Sequence, residues 1–202
     1  MPIDLQPYRV VSWDLDGTLY DSQRARRLAW LSFAAHPFAA YRDLRQLQQF
    51  HRAVELCRAN GGSFSWSGPP SRAVLLGLEK LWYAPTLRRV GPRRGLVSVL
   101  ERLARSGIRS VVFSDYETDY KLEALGLRHY FARSYAGEHL GWVKPSPKGL
   151  QRILEDEDIL PNRLLHIGDR IETDEAAARA AGVSCLILGR DFSSFRELTL
   201  AP

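Results

Sequence analysis

Four short apolar runs constrain this chain more than any other feature of its sequence. They fall at residues 8–15, 109–114 (RSVVFS), 163–167 (RLLHI) and 183–188 (VSCLIL), and each is rich in strand formers and followed by polar or turn residues. Runs of this continuous kind belong to strands buried on both faces, which are parallel and covered by helices. The intervening segments read accordingly. Helices are predicted over 96–103, before a stop at Gly107, and over 117–125, before a stop at Gly126. Two more are predicted over 147–155, entered at Pro147, and over 172–181, an alanine-rich stretch ended by Gly182. A further short strand is expected at 134–136.

The rhythm is interrupted once. Residues 21–92 carry no strand signal but two stripes at helical spacing: Leu47, Phe50, Val54 and Cys57, then Val74, Leu78, Leu81 and Trp82. Between them NGGSFSWSGPP, residues 60–70, is a loop by its glycine, serine and proline content. The expected fold is therefore α/β: a Rossmann-like parallel sheet with helices on both faces, built from residues 1–20 and 93–202, with a small helical domain inserted over 21–92. A chain of 202 residues, 45% of them apolar, is long enough to bury such a core.

The net charge of +5 is unevenly spread, with +7 over residues 21–92 and −2 over the remainder. The 24 arginines and 4 lysines are scattered rather than run together, which argues against a nucleic-acid partner. No apolar stretch approaches the ~18 residues of a membrane span, and the N-terminus has neither the basic nor the apolar region of an export signal. Cys57 and Cys185 stand in no metal-ligand spacing. A cytoplasmic protein, monomer or homodimer, is expected.

In open parallel sheets ligands bind at the carboxyl ends of the strands. There the first run delivers Asp14 and Asp16, within VVSWDLDGTLYDS, and the second delivers Ser114 and Asp115. The run at 163–167 leads to Asp169 and, five residues on, Asp174, while Lys144 sits in VKPSP. Carboxylates crowded at one edge raise one another's pKa unless a cation joins them. Mg²⁺ suits the set, with Asp14 and Asp169 as its natural ligands. Residues i and i+2 of an extended chain point the same way, so Asp14 and Asp16 both reach the site, one as nucleophile and one as proton donor. Lys144 and the Ser114 hydroxyl can hold a dianionic phosphoryl group.

The segments DLDGTLYDS, VVFSD, VKPSP and IGDRIETD, in this order, resemble the four motifs of the haloacid dehalogenase-like hydrolases. The insert is similar to the C1 cap of the phosphoglycolate phosphatase-like branch. The resemblance implies that Asp14 forms an aspartyl-phosphate, that Asp16 protonates the leaving alcohol and later activates water, and that Lys144 assists. It further implies substrate contacts from Ser114, Asp115 and Lys144. Mg²⁺ would be bound by Asp14, the backbone carbonyl of Asp16, Asp169 and Asp174, with Asp174 alternatively pairing with Lys144. The implied activity is Mg²⁺-dependent hydrolysis of a small phosphorylated metabolite. A β-phosphoglucomutase-type mutase shares all these residues. A haloacid dehalogenase has no need of Asp16, and a non-catalytic phospho-ligand-binding protein has no use for both a nucleophile and an acid.

Other residues read more plainly. Asp115 adds negative charge beside an anion site, so its carboxylate is expected to turn away or to touch the substrate rather than the phosphate. His36, His51, His129, His139 and His166 form no ligand spacing, and His166, inside a strand, reads as packed. Trp66 reads as a packed loop aromatic. Arg24, Arg26 and Arg27 read as a solvated helix face, with attraction of a phosphorylated substrate as the alternative.

Overall fold

In the computed structural model, which describes residues 2–35 and 37–200, the chain opens with a two-residue strand, β1 (Ile3–Asp4), and then enters β2 (Val10–Trp13). Three helices follow before the chain returns to the sheet: α1 (Ser22–Ala35), α2 (Pro37–Ala59) and α3 (Arg72–Val90). The rest alternates: α4 (Leu96–Arg105), β3 (Arg109–Ser114), α5 (Asp119–Ala124), β4 (Arg133–Ala136) and α6 (Gly137–Leu140) come first. Then α7 (Lys148–Glu157), β5 (Leu164–Gly168), α8 (Ala176–Ala181) and β6 (Ser184–Ile187) complete the main sheet, and β7 (Leu198–Thr199) pairs with β1. The five-stranded sheet is parallel throughout, in the order β4-β3-β2-β5-β6.

Burial on both faces explains the unbroken apolar character of the strands. Val11, Trp13, Val112, Leu165 and Ile167 pack with Val99, Leu100 and Leu103 of α4. Their neighbours Val10, Val111, Phe113 and Leu164 pack on the other face with Leu150 and Ile153 of α7 and with Ala177 and Ala178 of α8. Each large side chain so buried contributes roughly 1.5–3 kcal/mol. Because β2 lies at the centre, with Trp13 paired to Val112 on one side and Ile167 on the other, the chain runs outward from it in both directions. Its carboxyl end is thus where a ligand crevice opens.

The insert is built on a cluster of its own, Leu47, Phe50, Val54, Phe64 and Leu75, which closes on Val143 of the α6–α7 loop. The stripe expected on α2 is the buried one. On α3 half of the expected stripe is misplaced: Val74 and Leu81 are 50% and 61% exposed, while Trp82 is buried as expected, together with Leu75 and Leu87, and Leu78 packs against the insert cluster. The apolar residues of α3 come in adjacent pairs, Val74-Leu75 and Leu81-Trp82, so spacing alone does not choose a face; packing against α1, α2 and α5 does. The two linkers of the insert are tied together by Arg93, whose Nε and Nη2 donate to the Gly17 carbonyl at 3.0 and 2.8 Å and whose backbone N–H donates to that of Leu19 at 2.8 Å.

The helix expected over 172–181 begins with a wider π-type turn, Ile171–Glu175, before α8 proper. Strands β1 and β7 and the single turn of α6 are too short to leave a periodic signal. Among the described residues no helix is long and apolar enough to cross a membrane. Of the five histidines, His36 lies outside the described residues.

Candidate active site

Asp14 follows the last residue of the central strand, and its own N–H still donates to the Ile167 carbonyl at 2.8 Å, which fixes where the side chain emerges. Ser114 ends β3 and Asp169 follows β5, so three strand ends converge on a cavity of about 600 Å³. Lys144 reaches it from the α6–α7 loop and Asp174 from the π-type turn. The predicted residues Asp14, Asp16, Ser114, Asp115, Lys144, Asp169 and Asp174 all line this cavity.

At its floor Lys144, 2% exposed, lies between two carboxylates, with Nζ 2.5 Å from Asp14 Oδ1 and 2.6 Å from Asp174 Oδ1. Burial works to lower its pKa, but Asp14 and Asp174 together hold the ammonium well above the usual lysine range. Asp174 is fully occupied. Its Oδ1 faces Lys144 and His166 Nε2, and its Oδ2 accepts the backbone N–H groups of Asp169 and Arg170 at 3.3 and 3.0 Å. Burial would raise its pKa, but Lys144 and His166 hold it well below the usual carboxylate range. Gly168 permits this approach, since a Cβ there would meet Asp174 Cγ at 2.3 Å. Pairing with Lys144, one of the two expectations for Asp174, is met by its contacts, and its carboxylate also lies beside those of Asp14 and Asp169.

Asp14 and Asp169 differ from it. Asp14 accepts Lys144 on Oδ1 and the Thr18 hydroxyl on Oδ2 at 3.1 Å, yet burial, with Asp174 and Asp169 nearby, raises its pKa well above the usual value against the pull of Lys144. Burial and Asp174 push Asp169 up to about 6, and its Oδ1 is buried with no partner. Oxygens of Asp14, Asp169 and Asp174 lie within 4.8 Å of one another. Three carboxylates around one ammonium, one of them with an orphaned oxygen, form a donor set that fits a hard divalent cation.

Asp16 faces the same cavity with a different environment. Its Oδ2 lies 2.6 Å from Lys121 Nζ and its Oδ1 accepts the Tyr20 hydroxyl. Burial alone would raise its pKa, but Lys121 and Tyr20 hold it below the usual value. Asp115 lines the cavity but is 4% exposed, with Arg58 Nη2 of α2 at 2.5 Å on one oxygen and the Lys144 backbone N–H at 2.8 Å on the other. Its charge thus joins the insert to the loop that carries Lys144. Ser114 is buried, and its Oγ accepts the Tyr116 N–H at 3.3 Å.

Sequence reasoning missed Lys121, Tyr20, Arg58 and His51, which all line the cavity. Tyr20 lies within the first motif segment but was given no role there, Lys121 lies outside the motifs, and the two on α2 meet the sheet only through the packing of the insert. His51 is held down to about 4 by burial and by nearby Lys121, so it is neutral at pH 7. His166 is packed, as expected, but also touches Asp174, with its Nδ1 3.1 Å from Ser12 Oγ. Trp66 is packed too, edge-on to Phe50 and donating to the Pro70 carbonyl at 3.0 Å. Of the three arginines of α1, only Arg26 is among the cavity-lining residues.

Gly17 supplies a sharp test of the geometry. Its φ of +106° is one that residues with a Cβ rarely adopt, and a Cβ there would lie 2.1 Å from Asp169 Oδ2. Gly17→Ala is therefore expected to destabilise the fold by at least about 1 kcal/mol, read from the urea midpoint, and to lower kcat/KM at least ~10-fold. Normal stability and turnover in this variant would mean that the loop between Asp14 and Asp169 is laid out differently.

A family model for haloacid dehalogenase-like hydrolases matches residues 8–182. Phosphoglycolate phosphatase 1 of Pseudomonas aeruginosa is 30% identical over 200 residues, covering 94% of this chain and 72% of that protein. The glyceraldehyde 3-phosphate phosphatase of Methanothermobacter thermautotrophicus is 23% identical over 201 residues, covering 92% and 87%. Among solved structures, CbbY of Rhodobacter sphaeroides in complex with xylulose 1,5-bisphosphate superposes with a TM-score of 0.64 at 21% identity, covering 96% of this chain and 92% of that one. The L-2-haloacid dehalogenase of Xanthobacter autotrophicus reaches the same TM-score at 18% identity, covering 91% and 78%. At such identities the two structures speak to the fold alone.

Proposed function

The chain belongs to the haloacid dehalogenase-like hydrolase family, and we propose that it is a Mg²⁺-dependent phosphatase that hydrolyses a small phosphomonoester through an aspartyl-phosphate. The observation that carries this reading is the pairing of unlike carboxylates at the end of β2. Asp14 is pressed against Lys144 beside the orphaned oxygen of Asp169, and Asp16 stands over the same cavity in a separate hydrogen-bond network.

In the first displacement a carboxylate oxygen of Asp14 attacks phosphorus, the bond to the ester oxygen breaks, and Asp16, which must be protonated in the productive complex although Lys121 and Tyr20 favour its ionised form at rest, gives that oxygen its proton. In the second, Asp16 takes a proton from a water that attacks phosphorus in turn, the bond to Asp14 breaks, and inorganic phosphate leaves. Lys144 and Ser114 hold the phosphoryl oxygens during both steps, where positioning and charge neutralisation supply most of the catalysis. Asp14, the Asp16 carbonyl and Asp169 would hold Mg²⁺, with Asp174 behind them, and the ion would add positive charge where phosphoryl charge gathers. Residues 21–92 act as a C1-type cap, and the core, residues 1–20 and 93–202, carries the chemistry. Both cysteines are free, which suits the cytoplasm.

The test is a panel of phosphorylated metabolites, led by phosphoglycolate because relatives carry that activity in their names. Turnover is expected to fall to background in EDTA and to return when Mg²⁺ is added in excess. Full activity in EDTA would overturn the metal's part in the reading.

A further inference from the structure

Lys121 is a buried cation of the cavity for which the reaction above has no use, and it stands against Asp16. It lies on α5, 9% exposed in its side chain, with Nζ 2.6 Å from Asp16 Oδ2 and 5.4 Å from the centre of the Tyr116 ring. The second oxygen of Asp16, Oδ1, accepts the Tyr20 hydroxyl from the opposite end of the DLDGTLY loop. Both oxygens are therefore held, by groups from two elements, while the Asp16 side chain keeps 26% of its surface exposed. A solvated surface lysine would gain nothing from such confinement, since immobilising a long side chain costs rotamer entropy. The Lys121–Asp16 contact also spans 105 residues of sequence, so it is made by the fold and not by local chain geometry.

We propose that Lys121 is a positioning residue for Asp16. With Tyr20 it fixes the Asp16 side chain in the orientation from which its protonated carboxyl gives a proton to the leaving oxygen and the resulting carboxylate takes one from water. The proposal rests on the reading of Asp16 as acid and base. Proton transfer demands that donor and acceptor stand within hydrogen-bond reach, and a displacement of about 1 Å can cost on the order of 10²-fold in rate. An aspartate held by one contact instead of two can turn about both of its torsions.

Leaving-group dependence separates this role from a merely structural one. An alkoxide leaves poorly without a proton, whereas the p-nitrophenolate of p-nitrophenyl phosphate leaves without one. The experiment compares kcat and KM for p-nitrophenyl phosphate with those for phosphoglycolate, or for whichever alkyl ester of the panel the wild type turns over fastest. Lys121→Met is expected to lower kcat on the alkyl ester at least ~10-fold and on the aryl ester by less than about 3-fold, with KM unchanged. Lys121→Arg, which keeps a donor, should recover part of the loss. Added to Asp16→Asn, Lys121→Met should cost nothing further, because a residue acting through Asp16 has no separate effect. The ratio of the two esters within one preparation does not depend on how much of the protein is folded, so a destabilised variant still reports. Equal losses on both esters, or a raised KM with kcat intact, would overturn the proposal; the second result would make Lys121 a substrate contact. If Asp16→Asn itself treats the two esters alike, the reading of Asp16 fails and the proposal fails with it.

Discussion

Asp14→Asn is expected to lower kcat/KM at least ~10⁴-fold, about 5.5 kcal/mol of transition-state stabilisation, while leaving the fold at least as stable as the wild type. The two halves of this expectation come from the same environment. Burial, Asp174 and Asp169 raise the Asp14 carboxyl well above its ordinary pKa, against the opposing ammonium of Lys144. A carboxyl whose pKa is higher in the folded than in the unfolded state favours folding when protonated, and that stability is lost as pH rises through the interval between the two values. Above the unfolded value the Asp14 carboxyl therefore costs stability, and asparagine, of the same shape and without a charge to bury, does not. Lys144 keeps Asp174 as its partner in the variant. Measured together, kcat/KM and the urea midpoint at pH 7 should move in opposite directions. Turnover within tenfold of the wild type would place the nucleophile elsewhere.

Lys144→Met is expected to lose both properties at once. Its ammonium is the cation shared by Asp14 and Asp174, with side chains 10% and 1% exposed, and removing one partner of a buried ion pair costs about 3–5 kcal/mol. Activity should fall below detection, since the phosphoryl oxygens lose their buried counter-charge. The pH dependence has a definite sign. In the wild type Lys144 helps hold Asp174 well below its ordinary pKa, and a depressed carboxylate contributes stability that is present above the unfolded value and lost as pH falls. The gap in stability between wild type and variant should accordingly hold from neutrality down to about pH 4 and narrow as pH falls further, toward about 2. Urea titrations from pH 7 to about pH 2 measure it. A gap under 1 kcal/mol, or one that does not change with pH, would mean that Lys144 is not the counter-ion of this cluster.

Much of the scaffold was legible because its signals are local. An unbroken apolar run such as VVFS needs only its own residues to announce a strand buried on both faces, and the glycines after α4, α5 and α8 announce where those helices stop. The motif residues were legible for a related reason: each sits at a strand end, and the topology of a parallel sheet sends those ends to one edge. What could not be read is what depends on long-range packing. On α3 Val74 and Leu81 were misplaced because Val74-Leu75 and Leu81-Trp82 offer adjacent apolar choices that only its neighbours resolve. Asp115 looked like a surplus charge near an anion until Arg58, 57 residues away, was seen beside it. Lys121 lies 105 residues from Asp16 and carries no spacing that points to it.

By itself, then, the sequence determined the α/β layering, the helical insertion after β2 and the set of groups at the carboxyl edge, because strand character, helix stops and strand-end position are properties of short segments. The tertiary structure alone decided how those groups divide their work. Asp174 is consumed by Lys144, His166 and two backbone N–H groups, Asp169 keeps an oxygen unpartnered, and Asp14 and Asp16, two residues apart, titrate in opposite directions. The physical reason is that a carboxylate's chemistry is set by the charges and donors brought within a few ångströms of it. In this fold the deciding cations, Lys121 of α5 and Lys144 of the α6–α7 loop, are remote in sequence from the aspartates they control, while Thr18 and Tyr20 add hydroxyls from the loop itself.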